Sequence, residues 1–245
     1  MALVATEREF SAYGLSHWLV LVVFAAGAAL VVYVGRRHRS TAHARRFSRM
    51  FAVTIFALTL ADLLYEMFPA SIERSVPLHL SDLVPLVAAY ALFFHRQWAY
   101  ALTYYWGLVL STQALISPAL TGPDFPHVNF LFFWGSHLLV IWAALYLTWG
   151  RGMRTDWRSY RTTLAVTAAW AAVAMTFNFT MDTNYGFLNR KSDTVSALDL
   201  LGPWPWYLLA VAALLAAVWA LLTLLTGWYD ARASDRAGPC RVGPP

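Results

Sequence analysis

Seven apolar stretches follow one another along the chain, separated by shorter polar segments. They cover roughly residues 15–34, 50–68, 78–94, 98–117, 128–149, 161–181 and 205–227. Each approaches the length of about 20 residues that an α-helix needs to cross a bilayer. The pattern therefore predicts an all-α polytopic membrane protein, built as a bundle of seven transmembrane helices.

The segments between these stretches contain no internal repeat, no low-complexity run and no soluble domain. Only His95, Arg96 and Gln97 separate the third stretch from the fourth, which predicts a tight helical hairpin. We expect one seven-helix transmembrane domain over residues 1–230 and a flexible cytoplasmic tail, rich in Gly and Pro, over residues 231–245.

The composition agrees with a membrane protein and narrows the functional classes. Hydrophobic residues make up 59% of the chain and charged residues 13%, whereas soluble domains are roughly one quarter charged. The net charge of +5 is therefore interpreted as a signal of membrane topology, and we expect no nucleic-acid partner. The single cysteine, Cys240, excludes an intrachain disulfide and disfavours a cysteine-based metal site.

The basic residues predict the orientation in the membrane. If the N-terminus lies outside, the inner segments carry fourteen basic residues and the outer segments carry four. The outer four are Arg8, Arg74, Arg190 and Lys191. Because Lys and Arg concentrate in cytoplasmic loops, this bias predicts an external N-terminus and a cytoplasmic C-terminus.

Polar side chains of the predicted spans concentrate in the outer half of the membrane, whereas the inner half is almost purely apolar and aromatic. Ionisable groups are costly in a bilayer and usually mark a functional site, so the clustering predicts one shared pocket open to the outside or the outer leaflet. Simpler roles stay open, such as pairing of Asp62 and Glu66 with Arg74 or helix capping by Asp82. The clustered residues are Asp62, Glu66, His79, Ser81, Asp82, Gln113, His137, Asn178 and Asp182.

Four of these residues are candidate catalytic groups. His79 and Asp82 are three residues apart and share a helix face, so Asp82 can orient the imidazole, whereas Ser81 points elsewhere in a regular helix. A nucleophilic Ser81 therefore needs a base from another span, and His137, roughly 14 Å deep in the fifth span, is the candidate.

The outer loop before the last span reads "FNFTMDTNYGFLNRKSDTVSALDLLGPWPWYLL" over residues 177–209. Its basic residues suit a lipid phosphate and its amides suit other polar headgroup atoms. A packed cap over the bundle is a compatible alternative. With the residues of the spans, the predicted substrate-binding set is Asp62, Glu66, Gln113, Asn178, Asn184, Tyr185, Asn189, Arg190, Lys191 and Trp204.

Three motifs carry a resemblance to a known family: "PLHLSDL" at an outer helix start, "TNYGFLNRK" and "LLGPWPWY". With these motifs the chain resembles the YwaF-like integral membrane proteins of bacteria from about the second span to the seventh. That family is distantly similar to a eukaryotic transmembrane acyltransferase that builds ether phospholipids, and more remotely to androgen-induced multi-pass lipid hydrolases. The resemblance implies acyl chemistry on a lipid in a bacterial plasma membrane.

The resemblance also assigns residues. It implies that His79 corresponds to a catalytic histidine of the family. The eukaryotic acyltransferase has a cysteine directly before this histidine, where this chain has Leu78, and many bacterial relatives have a cysteine two positions after it, where this chain has Ser81. Ser81 is therefore expected as a substituted nucleophile.

Two functions remain open from the sequence. The first is an acyl-transfer enzyme, either a lipid acyltransferase or a lipid hydrolase. The alternative is a non-enzymatic transporter or a protein that binds a lipid or small molecule in the same pocket. Both predict a membrane phospholipid or other acyl lipid as partner, with no cofactor and no metal, and neither predicts an oligomeric state.

Overall fold

The computed structural model describes residues 8–39, 41–73, 75–191 and 197–237 of the chain. Within them the chain forms helices and no strand. The helices are α1 Leu15–Arg37, α2 Ala42–Glu66, α3 Leu80–Phe94, α4 Gln97–Tyr105, α5 Thr112–Ile116, α6 Val128–Leu145, α7 Trp157–Met181 and α8 Trp206–Ala237. A π-helical segment, Trp106–Ser111, joins α4 to α5, and another, Tyr146–Gly150, extends α6.

In the described part of the chain, five helical stretches are long and apolar enough to cross a membrane. They are Leu15–Arg37, Ala42–Glu66, Val128–Gly150, Trp157–Met181 and Trp206–Trp228. The predicted third span is the shorter helix α3, and the predicted fourth span is divided by its π-helical segment. A multi-pass helical protein is thus confirmed, while the count of seven spans and their orientation stay predictions.

Some helices extend beyond the predicted apolar stretches, because polar residues continue the helix there. Helix α2 begins at Ala42, eight residues before the predicted span, because its first two turns are basic but still helical. Helix α8 continues to Ala237, so the first part of the predicted tail, residues 231–237, is helical. Residues 238–245 lie outside the described part of the chain.

Loops meet at two opposite ends of the bundle. At one end, which we call the basic end, Arg36 and Arg39 donate to the carbonyl oxygen of Trp149, and Gln97 donates to that of Arg154. At the other end, which we call the cap end, the Phe10 amide donates to Gly122, and Tyr185 reaches Ile72. The helices therefore connect these two ends in alternation.

The core near the basic end contains more polar groups than the sequence indicated. The hydroxyl of Tyr100 contacts Thr148 at 3.1 Å and donates to the carbonyl of Met153, and Tyr105 contacts Thr223 at 2.6 Å. These tyrosines and threonines are buried. The aromatic character expected of the inner half therefore includes tyrosines whose hydroxyls form hydrogen bonds across helices, which the sequence pattern does not reveal.

Candidate functional site

A folded loop closes the cap end of the bundle, and we call its residues 182–191 the cap. Helix α7 ends at Met181, and the following residue, Asp182, adopts the left-handed conformation with φ of 53°. Gly186 also has a positive φ of 68°, which glycine accepts without steric cost. These two residues turn the chain back onto the loop that leads into α3.

Two asparagines hold the cap together through backbone hydrogen bonds. The buried Asn178 donates from Nδ2 to the Tyr185 carbonyl, and its Oδ1 accepts from the Tyr185 amide and the Thr183 hydroxyl. Asn184 donates to the carbonyl of Arg190 and accepts from the Asn189 amide. The side-chain amides of Asn178 and Asn184, which were predicted to bind substrate, therefore form hydrogen bonds within the cap.

His79 lies directly beneath the cap, in the loop one residue before α3. Its ring centroid is 4.8 Å from that of Tyr185 and 6.0 Å from that of Phe187. The Gly186 amide donates to Nδ1 of His79 at 3.3 Å. A neutral imidazole that accepts at Nδ1 carries its proton on Nε2, so His79 presents an N–H donor at its far side.

Tyr185 is the buried centre of the cap. Its hydroxyl donates to the carbonyl oxygen of Ile72 at 2.6 Å, and its ring packs against Phe177 as well as His79. Burial raises the pKa of this phenol, which therefore remains a protonated donor. Tyr185 joins α7, the cap and the loop before α3.

Aromatic side chains from three further positions fasten the cap. Trp170 of α7 donates to the carbonyl of Leu78, directly before His79. Trp204 donates to the carbonyl of Leu188, and the Tyr207 hydroxyl donates to that of Phe187. The segments PLHLSDL, NYGFLNRK and GPWPWY, which are far apart in sequence, are therefore in direct contact.

Three carboxyl groups gather beside the cap, at the end of α2 and the start of α3. Asp82 accepts the His79 backbone amide at Oδ2, 3.0 Å away, so it caps the first turn of α3. Asp62 and Glu66 lie within electrostatic range of Asp82. The Asp82 carboxylate touches the backbone of His79, whereas the imidazole accepts from backbone amides, among them that of Gly186.

The two remaining candidate catalytic residues lie apart from the His79 ring. Ser81 is exposed, and its hydroxyl donates to Asp82 at 3.4 Å. His137 is half-buried on α6 and contacts the carbonyl oxygen of Phe133 in its own helix at 2.7 Å. Among the described residues, Ser81 has no histidine ring within hydrogen-bond distance.

The other predicted binding residues occupy different surroundings. Gln113 and Arg190 are exposed. Lys191 lies 3.9 Å from Asp199 and over the ring of Tyr207. Asn189 has a buried side-chain oxygen without a partner among the described residues. Arg74, the proposed partner of the α2 carboxylates, lies outside the described residues.

Trp170 and Tyr207 belong to the site but were not among the sequence candidates. Each bonds a backbone carbonyl, and a tryptophan or tyrosine in an apolar helix gives no sequence signal for such a contact. In the described part of the chain, no group of three His, Cys, Asp or Glu residues is arranged to hold a metal ion.

Comparison with known proteins identifies a family. A model described as the TMEM164 family matches residues 12–223 of the chain. No curated protein and no solved structure matches significantly. The match confirms a multi-pass membrane family, while the YwaF-like assignment and the bacterial plasma membrane stay predictions.

Proposed function

The chain belongs to the TMEM164 family, and we propose that it binds the polar head of a membrane acyl lipid beside His79. The observation that carries this proposal is the hydrogen bond from Gly186 to Nδ1 of His79, which fixes the imidazole as an Nε2–H donor. An ester carbonyl or a phosphate oxygen is the matching acceptor.

The surroundings of His79 suit a lipid better than a soluble ligand. Phe187 and Trp204 of the cap region are partly exposed, at 36% and 48%. Trp206 at the start of α8 is 64% exposed. Aromatic side chains of this kind favour the headgroup level of a bilayer, where a lipid presents its ester groups.

The contacts of Ser81 favour lipid binding over catalysis. A serine is a weak nucleophile unless a base takes its proton. The Ser81 hydroxyl instead donates to Asp82, and the His79 nitrogen facing Gly186 is already occupied. We therefore place lipid binding before acyl transfer.

Acyl transfer is the second candidate, because the three segments that carry the family resemblance are linked through the cap, which contacts His79 at Gly186 and Tyr207 at Phe187. In this reaction the Ser81 oxygen bonds to the ester carbonyl carbon as the lipid C–O bond breaks. His137 or His79 takes the serine proton and returns it to the leaving alcohol, with Asp62, Glu66 or Asp82 orienting the base. Water or a lipid hydroxyl then accepts the acyl group.

A serine-directed fluorophosphonate probe separates the two candidates. Lipid binding alone predicts that wild-type protein and Ser81→Ala give the same background labelling. Acyl transfer would be favoured if the probe labels the wild type but not Ser81→Ala. The wild type should then also release fatty acid or transfer an acyl chain.

His79→Asn is expected to weaken lipid retention about tenfold while leaving the cap folded. Asparagine keeps an acceptor near the Nδ1 position for the Gly186 amide but has no group at the position of Nε2. Native mass spectrometry of the purified protein measures the bound lipid. His79→Gln, whose amide nitrogen reaches the Nε2 position, is the matched control and should retain most of the lipid.

We also propose seven membrane crossings with the cap end outside the cytoplasm, in a bacterial plasma membrane. The bias of fourteen basic residues against four supports this orientation. The single cysteine, Cys240, provides a direct test. A membrane-impermeant maleimide should label Cys240 only after permeabilisation, and labelling in intact cells would reverse the orientation.

A further inference from the structure

A basic surface lies towards the basic end, on the first turns of α2. Arg45, Arg46 and Arg49 line a recess of about 550 Å³ together with Met50 and Val53. All three arginines are exposed, and among the described residues none of them forms an ion pair. Helix α2 has no acidic residue before Asp62, so this surface is uniformly basic.

An apolar groove of about 490 Å³ continues from the basic recess. It lies between α2 and α3, and Val53 lines both spaces. The guanidinium group of Arg49 lies over the ring of Phe93 at 5.3 Å, which joins the charged surface to the apolar one. The groove is lined by Ala52, Val53, Phe56, Leu86, Ala89, Tyr90, Phe93 and Phe94.

We propose that these adjoining surfaces form a site for one anionic phospholipid. The phosphate lies against Arg45, Arg46 and Arg49, and one acyl chain lies in the groove between α2 and α3. Guanidinium groups bind phosphate oxygens through short, charge-assisted hydrogen bonds. The continuity of the basic recess with an apolar groove selects a lipid over free phosphate, which has no apolar part.

This site is separate from the one at His79. Arg49 and Asp62 are separated by about 20 Å along α2 at 1.5 Å per residue. The two sites also differ in charge, because Asp82 lies beside His79 whereas the charged residues that line the recess are all arginines. The inference therefore does not depend on the proposed function.

The test compares phosphatidylglycerol with phosphatidylcholine of identical acyl chains, titrated onto the full chain and followed by native mass spectrometry. Arg45→Gln/Arg46→Gln/Arg49→Gln should weaken phosphatidylglycerol binding at least about tenfold, since each basic side chain near anionic lipid contributes measurably. Phosphatidylcholine binding should change less than about twofold. Arg37→Gln/Arg158→Gln/Arg161→Gln removes the same charge elsewhere and should retain phosphatidylglycerol binding.

A second variant tests the groove without altering charge. Val53→Trp fills the junction of the two spaces and should also weaken phosphatidylglycerol binding, with no change in the melting temperature. His79→Asn should retain the preference for the anionic lipid. Three results would each overturn the proposal. The two triple arginine variants could lose phosphatidylglycerol binding equally, or Val53→Trp could bind it as the wild type does. Inorganic phosphate could also compete as strongly as the lipid.

Discussion

Replacing Asn178 with alanine is expected to lower the free energy of unfolding by about 3 kcal/mol and to release the cap. Asn178 is 1% exposed and bonds both backbone groups of Tyr185 and the hydroxyl of Thr183. Alanine leaves these buried groups without partners, and each such loss costs on the order of 1–3 kcal/mol. Because Tyr185 packs on His79, Asn178→Ala should also lower the amount of lipid that the protein retains.

Two measurements follow this change. Thermal unfolding in detergent reports the stability, and limited proteolysis reports cleavage within residues 182–191. Thr180→Ala is the control, because Thr180 is exposed on the same helix and bonds only to the preceding turn. A melting temperature for Asn178→Ala equal to that of Thr180→Ala would show that the asparagine does not hold the cap.

Gly186→Ala is expected to destabilise the protein by about 2–4 kcal/mol through backbone strain and a steric clash. A Cβ atom at Gly186 would lie 2.5 Å from the Trp170 ring, and the residue has a φ of 68°. Trp170 cannot simply move aside, because its indole N–H is bonded to the carbonyl of Leu78. The change should therefore displace the chain segment that positions His79.

Gly202→Ala separates the two causes. Gly202 also has a positive φ, 82°, but a Cβ atom there meets nothing within 4 Å. Its substitution should cost about 1 kcal/mol, which is the backbone contribution alone. Adding Trp170→Phe to Gly186→Ala should restore part of the stability by removing the clash. Equal effects of Gly186→Ala and Gly202→Ala would mean that Trp170 does not restrict the cap.

The periodic apolar stretches predicted the helices well, because a membrane span must be both long and apolar. The ends of α2 and α8 could not be predicted in the same way. Their terminal turns are polar, and helix formation there depends on continuation from the neighbouring apolar turns. The π-helical segments depend on packing between helices and have no pattern of their own in the sequence.

The candidate site was predicted in part. The Ser81 hydroxyl and the His79 ring have different hydrogen-bond partners. Because His79 lies before the first turn of α3, the spacing of a regular helix does not determine the direction of its side chain. The roles of Asn178 and Asn184 could not be predicted, because a side-chain amide can form hydrogen bonds to a lipid headgroup or to the backbone of a turn. Only the fold shows that Asn178 and Asn184 are bonded within the cap.

The convergence of the three motif segments also required the structure. His79 and Gly186 are 107 positions apart, so no local pattern joins them. The depth of His137 suggested a catalytic base in a shared pocket, but its own helix supplies a partner at the Phe133 carbonyl. A buried polar side chain can form its hydrogen bond within one turn of its own helix. The sequence does not distinguish such a residue from one that faces a functional pocket.

Photo-crosslinking of a lipid that carries a diazirine beside its headgroup tests lipid binding at His79 most directly. Lipid binding at His79 predicts crosslinks in the two segments that surround the imidazole, residues 75–84 and 182–191, and their loss in His79→Asn but not in Ser81→Ala. Crosslinks that avoid both segments, or that are unchanged in His79→Asn, would contradict lipid binding at this site.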